Sequence, residues 1–300
     1  MTPDRPIMAD GESQALGHFL GQRQRLRLLA YRLLGNASDA DDVVQDAWLK
    51  WCKVAGGVDD PAAFLTTQVT RLALDRLRTA KRRHALQGQW LPGPWVEAVD
   101  EGEADMSTAL LLLLERLTPD QRAVYVLREA MDLDFAEIAP IIEKTPAACR
   151  QIMSRARAGL KGEPRFTWDG GQTAVLVRRF AAACEQRDYG ALVALLGEGA
   201  RLISDGGENG KAARNPILGP DRIGRFLLGV RRKFLAADFT LHEATINGLP
   251  ALTGISGGET RWVLTFAMGE DRIQRVYLMA DPDRLPGTAP DQVKWPSSRR

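Results

Sequence analysis

Arg150, Gln151, Ser154, Arg155 and Arg157 crowd into the stretch 150–157. On a helix, Arg150, Ser154 and Arg157 fall at i, i+4 and i+7 and share one face. Ala147, Gln151 and Arg155 make the adjacent stripe, while Cys149, Ile152 and Ala156 point inward. Arginine presents a fork of donors that fits guanine O6 and N7, and glutamine fits adenine N6 and N7. Small Ala147 and Ala148 let the helix backbone approach a duplex. This is chemistry for a major groove, although an ordinary helical hairpin has the same periodicity.

The elements around this stretch suit that use. Thr145-Pro146 opens the helix as a cap followed by proline at the first position. A helix over about 135–142 precedes it, joined by the turn Glu143-Lys144-Thr145, which lacks glycine. Leu117-Thr118-Pro119 starts an earlier helix with Val124, Leu127 and Met131 on one face. Two short helices and a tight turn, the second helix basic, describe a helix-turn-helix.

A second basic run lies upstream. Asp60-Pro61 starts a helix whose apolar face is Leu65, Val69, Leu72 and Ala73. Arg71, Arg76, Arg78, Lys81, Arg82 and Arg83 follow, with Asp75 as the sole local acid. The run reads as a footprint for phosphate or as a cationic helix end that suits the dipole. Before it, Gly35-Asn36 stops one helix, and Ser38 or Asp39 caps the next. That helix puts Val44, Trp48 and Trp51 on one face. Asp39, Asp41, Asp42, Gln45, Asp46 and Leu49 lie on others, either docking a protein partner or simply solvated.

The chain has 300 residues with 40 basic and 38 acidic side chains, so charge segregation matters more than the net +2. Its three cysteines, Cys52, Cys149 and Cys184, are far apart, which disfavours metal ligation and disulfides and suits a reducing cytoplasm. No metal and no cofactor is expected. Met1 to Gly11 lacks the apolar core of a signal peptide, and no apolar run approaches membrane-spanning length. The expected organisation is a helical module over 14–84, an acidic linker over 85–106, a second helical module over 107–162, an α+β domain over 172–285 and a loose tail over 286–300.

The run Leu29 to Gly35, followed by Asp39 to Leu49, resembles the polymerase-clamp-binding helix of extracytoplasmic-function sigma factors. Pro61 to Arg83 resembles their −10-reading and melting segment. Leu117 to Leu160, with Glu137-Ile138-Ala139 and Cys149 to Arg157, resembles their −35-reading domain. The remainder resembles the SnoaL-like domain, of NTF2-like fold, carried by one subgroup. Trp90-Leu91-Pro92-Gly93-Pro94 resembles that subgroup's WLP signature. Asp205-Gly206-Gly207 with Lys211 resembles its DGGGK motif with a loop two residues longer, and Asp281-Pro282-Asp283-Arg284-Leu285 its NPDKL motif.

The resemblance implies an alternative sigma factor, not an enzyme. Its fold class would be multidomain: two all-α modules, the second a helix-turn-helix, plus an α+β cone-shaped domain. Its partners would be core RNA polymerase, through the β′ clamp and β flap, and promoter DNA; a small ligand in the C-terminal pocket is a further possibility. The implied −35 contacts are Pro146, Ala147, Arg150, Gln151, Ser154, Arg155 and Arg157. The −10 contacts are Phe64, Arg71, Arg76, Arg78, Lys81, Arg82 and Arg83, and the polymerase contacts are Asp39, Asp41, Asp42, Gln45, Asp46 and Leu49. Asp205, Gly206, Gly207 and Lys211, with 281–285, would make a regulatory interdomain contact. The acidic linker would thread the polymerase or serve as a solvated tether. Two competing readings are catalysis in the third domain by Asp205 and His242, and a repressor or activator using the helix-turn-helix alone.

Overall fold

The structure is a computed structural model that describes residues 8–54, 57–84, 90–96, 107–160, 170–207, 212–234 and 238–285; the side chains of 8–14, 80–84, 170 and 231–234 are outside it. The chain divides into two compact units, one formed by Met1–Arg83 with Leu114–Lys161 and the other by His84–Leu113 with Gly162–Arg300.

The first unit is helical. It contains α1 (Met8–Leu34), α2 (Ala37–Trp51), α3 (Pro61–His84), α5 (Pro119–Glu129), α6 (Phe135–Ile141) and α7 (Pro146–Gly159), with α4 (Thr108–Glu115) running into it. The first helix begins at Met8, ahead of the expected 14. Gly35 at φ 70° ends it, its N–H donating to the Tyr31 carbonyl at 2.7 Å. The cap of α2 is Asn36 and not Ser38 or Asp39: its side-chain oxygen accepts from the Ser38 N–H at 2.9 Å. Asp60 caps α3 through the Ala63 N–H at 2.9 Å. Thr118 with Gln121 and Asp134 with Glu137 form reciprocal capping boxes on α5 and α6.

The turn into α7 solves its missing glycine by strain. Glu143 takes φ 58°, and the Lys144 N–H reaches back to the Ala139 carbonyl at 3.0 Å, as in a Schellman ending.

The second unit is α+β. Its sheet has the order β2-β1-β6-β5-β4-β3, from β1 (Leu196–Asp205), β2 (Ile217–Leu218), β3 (Thr240–Ile246), β4 (Leu249–Ser256), β5 (Glu259–Met268) and β6 (Ile273–Met279). Among the described residues, β1–β6 is the one parallel pair and the others are antiparallel. The unit opens with two helices, α8 (Gly170–Gln186) and α9 (Tyr189–Leu195), with a break at Arg187, φ 55°.

Strand side chains alternate between two buried faces. Leu252, Leu264, Phe266, Val276 and Leu278 pack under α8, α9 and α10 (Pro220–Phe234). Ala251, Val263, Ala267, Tyr277 and Met279 face the other way, where Leu91 and Ala109 cover them. Part of the stretch 85–106, expected as a linker, thus contributes core: Leu91 to Trp95 are all buried. The acidic part, 97–106, lies outside the described residues. Among the described residues no helix is long and apolar enough to cross a membrane.

Candidate promoter-binding face and linker groove

Helix α7 is anchored by Cys149, Met153 and Ala156, which are buried. Ile152, expected to point inward with them, is half-buried, and Met153 takes its place. The Thr145 hydroxyl caps the helix by accepting from the Ala148 N–H at 3.2 Å. Pro146, Ala147, Arg150, Gln151, Ser154, Arg155 and Arg157 are all exposed. Arg157 pairs with Glu129 at 2.7 Å. The other side chains form one polar face of the right chemistry for base edges and phosphates.

The upstream cations are arranged differently from expectation. The run has no acid beyond Asp75 close to it in the sequence, but acids from elsewhere in the sequence meet Arg76 and Arg78. Arg76 lies at 3.6, 3.3 and 3.4 Å from Asp39, Asp42 and Asp46. Arg78 pairs with Asp75 at 3.3 Å and Asp120 at 3.1 Å. Arg71 donates to the carbonyls of Ile141 at 3.0 Å and Pro140 at 2.8 Å. Phe64 is half-buried, its ring 5.7 Å from that of Trp51. Lys81, Arg82 and Arg83 have side chains outside the described set.

The acidic helix α2 buries Val43, Val44, Ala47 and Trp51. Asp39, Asp41, Asp42, Gln45 and Leu49 are exposed and Asp46 is half-buried. Leu49 is a large apolar side chain left 53% exposed at the rim of that face.

In the second unit three motifs distant in sequence meet. One Asp205 carboxylate oxygen accepts from the Leu91 N–H at 2.7 Å and from Arg284 at 2.6 Å. Its other oxygen accepts from the Gly207 N–H at 2.9 Å. Arg284 also donates to the Leu91 carbonyl at 2.7 Å and to Asp281 at 2.6 Å, and it stands over the Trp90 ring at 5.7 Å. Gly207 has φ +67°, and a Cβ there would come within 2.5 Å of the Asp281 carboxyl carbon. Both facts require glycine. Leu285 packs on the same core. The interdomain contact assigned to Asp205, Asp281 and Arg284 is therefore a grip on residues 90–91 within the α+β unit. Lys211 lies outside the described residues.

Four contributors to this grip escaped sequence reasoning. Asn247 accepts from the Trp95 N–H through its side chain at 2.8 Å and donates its own N–H to the Trp95 carbonyl at 2.8 Å. Its amide also donates to Thr108 at 3.2 Å, and Thr108 meets Thr265 at 2.9 Å. Asn247-Gly248 was a visible hairpin signal, and both residues take positive φ, 56° and 74°. Nothing local pointed to Trp95.

The same contacts bear on catalysis. Asp205 is 4% exposed and fully engaged. His242 sits on β3 and contacts Thr240 at 2.8 Å. Asp205 is on β1, four strand spacings away in the sheet order, roughly 19 Å along the sheet. The two do not form an acid–base pair.

Comparisons with known proteins agree with this architecture. Sigma-70 region 2 matches residues 21–83, and Sigma-70 region 4 matches 107–160. The ECF RNA polymerase sigma factor SigJ of Mycobacterium tuberculosis is 34% identical over 295 residues, covering 91% of this chain and 94% of SigJ. The probable ECF RNA polymerase sigma factor SigI of the same species is 29% identical over 269 residues, covering 86% of this chain and 90% of SigI. The crystal structure of SigJ superposes with a TM-score of 0.72 at 31% identity, covering 91% of this chain and all of that one. With two sigma regions in order and a likeness that runs through the third module as well, the chain belongs to the extracytoplasmic-function RNA polymerase sigma factors.

Proposed function

We propose that this alternative sigma factor reads the −35 element with α7, meets the −10 element with α3, and fastens to the β′ clamp with α2, its second helical module meeting the β flap. The observation that carries the reading is the uninterrupted exposed face of Arg150, Gln151, Ser154 and Arg155. It is held by a buried stripe that leaves those side chains no structural duty. Bidentate contacts of this kind are worth about 1–3 kcal/mol each against a wrong base. The setting is the cytoplasm, where polymerase and promoter are found.

The α+β unit then acts in cis by restraining the linker, and not by catalysis. Supporting this are the engagement of Asp205 and its separation from His242. Burial of Leu91 and Trp95 contributes about 1.5–3 kcal/mol each, so the restraint is substantial but reversible. A linker that must enter the polymerase has to leave this groove first.

Run-off transcription with core polymerase tests both parts. Arg150→Glu with Arg155→Glu is expected to abolish promoter-specific transcript while co-purification with core persists. Loss of core binding by that variant would count against the assignment. Arg284→Ala is expected to raise run-off yield severalfold by loosening the linker. An unchanged yield from a folded Arg284→Ala protein sets the cis restraint aside.

A further inference from the structure

Residues 91–95 are held the way a ligand is held. At one end Asp205 takes the Leu91 N–H and Arg284 the Leu91 carbonyl, both at 2.7 Å. At the other end Asn247 takes both the N–H and the carbonyl of Trp95, each at 2.8 Å. All four bonds go to main chain, so they grip an extended backbone whatever side chains it carries. Selectivity falls to the side chains. Leu91 and Trp95 are 1% and 2% exposed. Pro92 and Pro94 line a narrow crevice with Val263, Tyr277 and Met279. Two prolines preset the extended backbone and reduce the entropy lost on seating it.

We propose that this sheet face is a peptide-binding groove that also accepts, in trans, an extended apolar-Pro-Xaa-Pro-aromatic segment of another polypeptide, displacing the chain's own. The inference rests on the linker groove described above, not on its effect on transcription. Every contact is non-covalent. The sequence on the far side of Trp95, with Glu97, Asp100, Glu101, Glu103 and Asp105, has the composition of a solvated tether. Release therefore costs only the groove contacts. The tether keeps the chain's own segment at about millimolar effective concentration, so the incoming peptide competes and the native groove is mostly filled.

The probe is a fluorescein-labelled synthetic peptide copying residues 88–97, read by fluorescence anisotropy against full-length protein. Leu91→Asp with Trp95→Ala empties the groove from within. The emptied protein is expected to bind the peptide at least about tenfold more tightly than wild type, the loss of an intramolecular competitor. Adding Asn247→Ala should weaken that binding by a similar factor. A peptide with aspartate at the Leu91 position should not bind.

A second arm avoids any folding question. In wild type, excess peptide should speed hydrogen exchange at the Leu91 and Trp95 amides, which the groove otherwise protects. The proposal is overturned if a folded, emptied protein ignores the peptide, if it self-associates instead of binding it, or if exchange at those amides does not respond. Because neither readout involves polymerase, a failure here is separable from a failure of the cis restraint.

Discussion

Arg122 is only 2% exposed. It pairs with Glu115 and donates to the Arg32 carbonyl at 3.3 Å, and its remaining Nη2 has no partner among the described residues. Removing Arg122 empties a packed site and leaves Glu115, 29% exposed, without its partner. Arg122→Ala is expected to lower stability by about 2 kcal/mol or more, read as a shift in the urea midpoint of the helical unit. Arg122→Met, which keeps the volume, should lose less. Glu143 runs the other way. Its positive φ suits glycine, and its contact with Arg71, at 3.4 Å, is largely solvated. Glu143→Gly is expected to add about 0.5–1 kcal/mol, and a loss in thermal unfolding would contradict the strain. Thiol chemistry checks the packing. Burial pushes the Cys149 thiol upward, against the lowering effect of Arg150, its own backbone N–H and Lys144. Cys52 is exposed, and Cys149 and Cys184 are buried. Mass spectrometry after brief alkylation at neutral pH should therefore find Cys52 modified first.

At the scale of elements, what was legible followed from local physics. The Thr-Pro and Asp-Pro starts and the helix-turn-helix stand, because capping and periodicity are written within a few residues. The glycine stop at Gly35 was equally plain. Less legible were contacts that cross the sequence. Asp39 and Asp42 read in the sequence as a solvated or partner-docking face, and Arg76 as part of a phosphate footprint or cationic helix end, though they face each other. The stretch 85–106 reads as linker because helix breakers are followed by like charges, a pattern that does not distinguish a solvated segment from one, like 91–95, buried in a groove. Asp134 went unnoticed as a cap. It accepts from the N–H groups of Ala136 at 2.7 Å and Glu137 at 2.8 Å, so Asp134→Ala should cost about 1 kcal/mol. That loss should appear in urea unfolding and, through the position of α7, as weaker promoter binding.

Along α3, the cations Arg71, Arg76 and Arg78, assigned to nucleic acid, are already matched with acids and carbonyls. Those pairs are mostly solvent-facing, as the 54% and 33% exposures of Arg78 and Asp120 indicate. Each contributes only about 0–1 kcal/mol, so a polyanion can compete for them. Asp75→Asn with Asp120→Asn should release Arg78 from both of its partners and strengthen non-specific duplex binding. The slope of log affinity against log salt should steepen by nearly one, about 0.9 per phosphate gained. Titration by anisotropy at several ionic strengths checks this, and an unchanged slope would mean that Arg78 does not meet phosphate. The α+β unit has its own core and should unfold separately. Arg284→Ala is expected to lower its transition alone, seen as one shifted step in calorimetry.

The burial of Leu91 and Trp95 also bears on how the protein can be cut apart. Shortening the chain to its two sigma regions strips the cover from a leucine, two prolines and a tryptophan that were never meant to meet water. Such a fragment gains a sticky strip along with its freedom, so clumping or altered yield in it reports the newly bared surface as much as the missing regulator.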